Sequence, residues 1–211
     1  MPRPGVLMRI VEPKIPGSLL ETDPLSLDGT DAIYQLEATD GQRPSQNTLY
    51  FLSDVSSVLR NEQSYQNDVQ SHENSLVSIS WVIASLISGQ PRIEDNHQVP
   101  DVPLGVEVVV NGSTPKVDKE GDYHAWYDQE HVGKLGLVPG WRAMRRYKLE
   151  AGFGDVETAS FYGVNFYDQV NGLGGPEWKA GVTDWTLRIR DQAAKPNVRR
   201  TWRLMGVSNA A

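Results

Sequence analysis

Cysteine is absent from the 211 residues, so no disulfide can staple the fold and no thiolate can hold a metal. Long apolar runs are missing as well. No stretch of roughly 18 apolar residues occurs, and the opening Met1-Pro2-Arg3-Pro4-Gly5 lacks the apolar segment of a secretory signal. The expectation is a cytoplasmic protein with no membrane partner. Positive charge is in deficit: 20 Lys and Arg stand against 27 Asp and Glu, a formal net charge of −7. Nucleic acids and anionic membranes need a basic surface and are not expected as partners. Histidine is scarce, with four in the chain, so each one has to be accounted for. What is present is an apolar fraction of 39%, enough for one large core or two small ones. Asn111-Gly112-Ser113 fits a glycosylation sequon but reads better as an Asn-Gly turn.

Strand-like and helix-like runs alternate along the chain, and they do so twice. In the first half, residues 6–11, 32–36, 49–52 and 78–87 are rich in β-branched and aromatic side chains and read as strands. Residues 55–73 read as a polar helix, and 88–103, with Gly89, Pro91, Pro100 and Pro103, as a linker. In the second half, 106–110, 142–149, 159–167 and 198–206 are expected strands, and 118–135 and 175–192 expected helices. Both halves therefore suggest β-α-β-β-α-β, with the first helix of the first half reduced to an irregular segment. Gly5-Val6 and Gly105-Val106 head the two opening strands, and Phe51-Leu52 echoes Phe166-Tyr167. Such a module forms an antiparallel sheet with both helices on one face, and its bare face must be buried. The predicted fold class is α+β, with two tandem ferredoxin-like modules, 1–95 and 104–211, packed sheet to sheet. The barrel then closes within one chain, although a homodimer is compatible with the pattern.

Residues 123–147 are the most informative segment. They combine an aromatic helix, Trp126-Tyr127-Asp128-Gln129-Glu130-His131, with a turn, Val138-Pro139-Gly140-Trp141, and a basic strand, Arg145-Arg146-Tyr147. This order resembles the Trp-Tyr-x-x-Glu-His element of the EthD-like dimeric α+β barrel proteins, over about residues 104–206. The resemblance implies the same barrel architecture, with a histidine and a tyrosine at a pocket between helix and sheet. Similar proteins of this length occur in filamentous fungi, some linked to polyketide and other secondary-metabolite pathways.

At 100° per residue, Tyr123, Tyr127, Glu130, His131 and Lys134 share about a third of the helical circumference, with Trp126 and His124 at its borders. An imidazole titrates near neutrality, so His131 suits proton transfer. Tyr127 could donate a hydrogen bond to an oxyanion, and Glu130 or Asp128 could orient the imidazole. The candidate catalytic residues are His131, Tyr127 and Glu130. The candidate substrate contacts are Trp126, Tyr123, His124 and Trp141. His124 lies roughly 10 Å along the axis from His131, too far for one metal ion, and the His-Glu-x-x-His spacing is absent, so no metal is expected. Residues 171–178, Asn-Gly-Leu-Gly-Gly-Pro-Glu-Trp, lack the lysine and spacing of a phosphate loop. No cofactor is expected. The resemblance leaves haem as the one to test, with His131 as the axial ligand. Trp178, Trp185 and Trp202 are expected in the core, and His72 and His97 are given no role.

The resemblance implies a cofactor-independent enzyme acting on a bulky, apolar, oxygenated metabolite by cyclisation, isomerisation or decarboxylation, including pericyclic closure by orientation. Cofactor-free monooxygenation of a phenolic substrate and non-catalytic ligand binding are the alternatives.

Overall fold

The computed structural model describes residues 2–15, 23–60, 62–73, 77–92 and 98–209. Eight strands form one closed antiparallel barrel: β1 (Gly5–Pro13), β2 (Thr30–Ala38), β3 (Gln46–Leu52), β4 (Val77–Gln90), β5 (Glu107–Ser113), β6 (Trp141–Phe153), β7 (Phe161–Tyr167) and β8 (Val198–Asn209). Around the barrel they run β1-β3-β2-β8-β5-β7-β6-β4. Within each half the spatial order is fourth, first, third, second. The halves join at two seams, β2 on β8 and β4 on β6. Closure leaves no strand edge open to another chain.

The barrel is filled by side chains, as eight strands dictate. Val6, Met8, Leu49, Phe51, Val82, Ala84, Val108, Val110, Tyr147, Val164, Phe166, Trp202 and Leu204 form this inner core. The period of two then turns the intervening residues outward: Leu7, Tyr50, Trp81 and Ile83 in the first half, Val109 and Tyr167 in the second. Helices cover those outer faces. α1 (Ser56–Leu59) and α2 (Glu62–Ser71) lie over the first half. α3 (Glu120–Trp126), a π-turn (Tyr127–His131), α4 (Val132–Gly136), α5 (Pro176–Ala180) and α6 (Asp184–Asp191) lie over the second.

Several expectations are revised. Asn111-Gly112-Ser113 is the end of β5, not a turn. Gly112 is required there by packing, since a Cβ would stand 2.8 Å from that of Ala159. The expected helix 175–192 is broken: Thr183 caps α6, accepting from the Thr186 N–H at 3.1 Å, so the preceding residues cannot continue it. The opening glycines are not equivalent. Gly5 begins its ladder opposite Leu52 and Glu107 begins its own opposite Tyr167, which matches Val6 to Val108 and Phe51 to Phe166. Trp202 is buried inside the barrel, whereas Trp178 and Trp185 are half-buried on its outside. His72 packs against Asp68 at the end of α2, and His97 lies outside the described residues.

Candidate functional site

The helix over the second half does not keep α geometry. From Tyr127 to His131 it widens to a π-turn, with the Val132 N–H donating to the Tyr127 carbonyl. The wider turn brings His131 over Trp126, ring centroids 3.9 Å apart and planes 21° from parallel. It also sets the Tyr127 ring edge-on to the imidazole at 5.0 Å. Such single π-turns are concentrated at functional sites. Two contacts with α6 hold it in place: Trp126 Nε1 donates to Thr186 Oγ1 at 3.2 Å, and Thr183 Oγ1 donates to the Glu130 carboxylate.

Below the π-turn lies a cavity of about 130 Å³ between helix and sheet. Trp126, Tyr127 and His131 form its helical wall, Val109 and Tyr167 its floor, and Trp178, Thr186 and Ile189 its far side. It opens into a groove of about 630 Å³ along residues 193–197. Asn111, Arg190, Asn197 and Arg199 line both. For scale, an apolar cavity of roughly 150 Å³ takes up benzene, so one ring fits the enclosed part and anything larger continues into the groove. A haem macrocycle does not fit the enclosed part lined by His131, which has room for one ring and not for four pyrroles. Among the described residues no cluster of three or more His, Asp or Glu could hold a metal ion.

Burial lowers the His131 pKa to about 3, and the charges of Arg146 and Arg190 push the same way. The imidazole is therefore neutral at physiological pH. Its Nδ1 is buried and has no hydrogen-bond partner, which is costly unless something else completes it. Burial also raises the Tyr123, Tyr127 and Tyr167 phenols, so all three stay protonated.

The expected site residues divide into two groups. His131, Tyr127 and Trp126 line the cavity. Tyr127 contributes its ring rather than its hydroxyl, which lies against Gly163, 2.5 Å from where a Cβ would stand, and is hydrogen-bonded to Tyr123. The role of oxyanion donor expected for this hydroxyl does not agree with that geometry, because the hydroxyl is held against the sheet. Tyr123 sits behind it, stacked on Phe161 at 5.3 Å. His124 turns to the other side and accepts from Arg146 Nη2 at 2.8 Å. Arg146 also pairs with Asp128 at 2.8 Å and lies 4.0 Å over the Tyr127 ring. Glu130 and Asp128 are thus occupied by Thr183 and Arg146, and neither orients His131. Trp141 packs with Val138, Leu173 and Trp178 beside the cavity, its Nε1 donating to Asn165.

The site also includes residues that sequence reasoning passed over: Asn111, Arg190, Asn197 and Arg199. Their signal lay in strand phase. Asn111 and Arg199 are paired neighbours on β5 and β8, both on the helix-covered face.

No protein-family model matches the sequence, and no curated protein matches it. Solved structures do resemble the fold. An anthrone oxidase-like protein aligns over 100% of this chain and 94% of its own, with a TM-score of 0.60 and 16% identity. A proposed monooxygenase from Fusobacterium nucleatum subsp. nucleatum aligns over 100% and 96%, with 0.56 and 8%. A proposed chlorite dismutase aligns over 98% and 96%, with 0.57 and 13%. These are dimeric α+β barrel folds, and that is the fold of this chain, completed here by two modules in one polypeptide.

Proposed function

We propose that this protein is a cofactor-independent oxygenase of small, oxygenated ring compounds, and that the neutral His131 is its base. The observation that carries this reading is the buried, unpartnered Nδ1 of His131 beside a cavity the size of one ring. The oxidase and monooxygenase names of the structural neighbours point the same way.

A phenolic or enolisable ring enters against Trp126 and Tyr127. His131 removes a proton from the activated carbon, and the electron pair left behind is delocalised onto the ring oxygen as a phenolate or enolate. Lys134, which lines the cavity, is the cation placed to stabilise that oxygen, a larger effect in a site with little water. Imidazolium beside bare cations is unfavourable, so the proton is held only while the substrate anion is there to balance it. The carbanion reduces dioxygen and a C–O bond forms. The resulting peroxide takes the proton back from His131, then loses the second C–H proton and breaks its O–O bond, leaving a carbonyl. The balance is R2CH2 + O2 → R2CO + H2O.

The test is oxygen consumption by the purified protein supplied with an anthrone or a hydroxynaphthalene, with one O2 expected per carbonyl product. His131→Ala should lower the rate by roughly 10²–10⁴-fold, and Tyr127→Phe should cost far less, because its hydroxyl faces the sheet. Turnover without oxygen uptake would instead favour isomerisation or cyclisation through the same base. Binding without turnover would sink the enzymatic reading.

A further inference from the structure

The two halves of the barrel handle one pair of positions in opposite ways. With Gly5 matched to Glu107, Arg9 corresponds to Asn111, and its β4 partner Trp81 to Arg199, the β8 partner of Asn111. In the first half this rung is closed internally. Arg9 donates to both oxygens of Asp68 on α2 at 2.8 and 2.7 Å, and Trp81 Nε1 donates to the same carboxylate at 2.8 Å. Arg9 and Asp68 are 1% and 3% exposed, and no cavity lies between them.

In the second half the rung is open. Arg199 comes from the strand, and α6, which follows the third strand of its half as α2 does, brings Arg190 to the same cavity. Among the described residues neither arginine forms an ion pair. No Asp or Glu lines the cavity or the groove, although acids outnumber bases in the chain. Lys134 and Lys195 add positive charge to the same walls, and His131, whose buried Nδ1 has no partner, also lines the cavity. Both arginines are exposed along the groove, and a guanidinium matches the planar, bidentate oxygens of a carboxylate or phosphate.

We infer that the groove binds an acidic group of the ligand, a carboxylate or a phosphate, between Arg190 and Arg199, in the place Asp68 takes in the first half. The ligand's ring enters the cavity against Trp126 and His131, a placement that rests on the function proposed above. The ligand class is then an aromatic acid or an aryl phosphate, more polar than the apolar metabolite expected from sequence.

Isothermal titration calorimetry with benzoate, phenyl phosphate and the neutral benzamide tests this. None of the three has an enolisable carbon, so binding is read without turnover, and a failure of the oxygenase reading shows separately as absent oxygen uptake. At least one acid should bind at least about tenfold more tightly than benzamide, as charged hydrogen bonds imply, and the better acid identifies the group. Arg190→Gln and Arg199→Gln should each remove most of that preference. Arg188→Gln, which loses its pairing with Asp122 and its place over the Trp185 ring, both outside the groove, should keep it. Added salt should weaken acid binding and leave benzamide unchanged. Equal affinity for acid and amide, parental affinity in both arginine variants, or no acid binding at millimolar concentration would each overturn the inference.

Discussion

The imidazole of His131 lies flat on the indole of Trp126, 3.9 Å between centroids, although the two are five positions apart. In a regular α-helix five residues turn through about 500°, leaving the two side chains roughly 140° apart. The π-turn at Tyr127–His131 closes that angle. The stack is therefore a property of the helical irregularity, and it places the aromatic wall and the base on one side of the same cavity.

The first prediction concerns pH. Burial, helped by Arg146 and Arg190, holds His131 at about 3, whereas an unfolded imidazole titrates near 6.5. Between those values the unfolded chain binds a proton that the native state does not. Stability from this group is thus full above about pH 6.5 and falls as pH drops, by at most about 1.4 kcal/mol per pH unit. Urea denaturation at pH 7, 5.5 and 4.5 should show a flatter profile in His131→Gln. Parallel profiles for parent and variant would contradict it.

Gly163 is predicted to be irreplaceable. A methyl group there would stand 2.5 Å from the Tyr127 hydroxyl, so Gly163→Ala must displace the phenol and break its bond to Tyr123. The expected loss is about 1–3 kcal/mol, typical of overpacking, together with weaker ligand binding. An unchanged melting temperature would mean that the phenol moves aside freely.

Asp68→Asn should be far more damaging than its conservative chemistry suggests. The change removes the buried charge that Arg9 and Trp81 share, a loss of about 3–5 kcal/mol, readable as a shift in the urea midpoint. Asp122→Asn, at the exposed pair with Arg188, should have little effect. Comparable losses in the two variants would show that the Arg9–Asp68 pair is not the anchor of α2.

Residues 1–95 and 104–211, expressed separately, should be insoluble or molten and should regain structure when mixed. Each half alone exposes the bare inner face of its sheet and two open edges, β2 and β4 in one, β6 and β8 in the other. Circular dichroism and dye binding would report the recovery. Two halves that fold without associating would refute it.

Short runs rich in β-branched and aromatic residues, such as Ile79–Ala84, revealed the strands, because their length and content are local properties. The aromatic run at 123–131 marked the wall of the cavity for the same local reason. Some features were not readable in this way. The π-turn is flanked by contacts in which Trp126 and Glu130 each reach a threonine near the start of α6, Thr186 and Thr183, more than 50 residues downstream, and no local pattern encodes that contact. Glu130 and His124 are turned from the cavity by partners distant in sequence, Thr183 and Arg146. Arg190 and Arg199 looked like ordinary surface charges, since their meaning depends on Asn111 lying across the rung and on no acid being near. Local sequence thus determined the elements and their faces, where neighbouring residues alone decide the pattern. The barrel closure, the direction of the Tyr127 hydroxyl and the charge of the groove were decided only by the tertiary structure, because each depends on side chains brought together from distant parts of the chain.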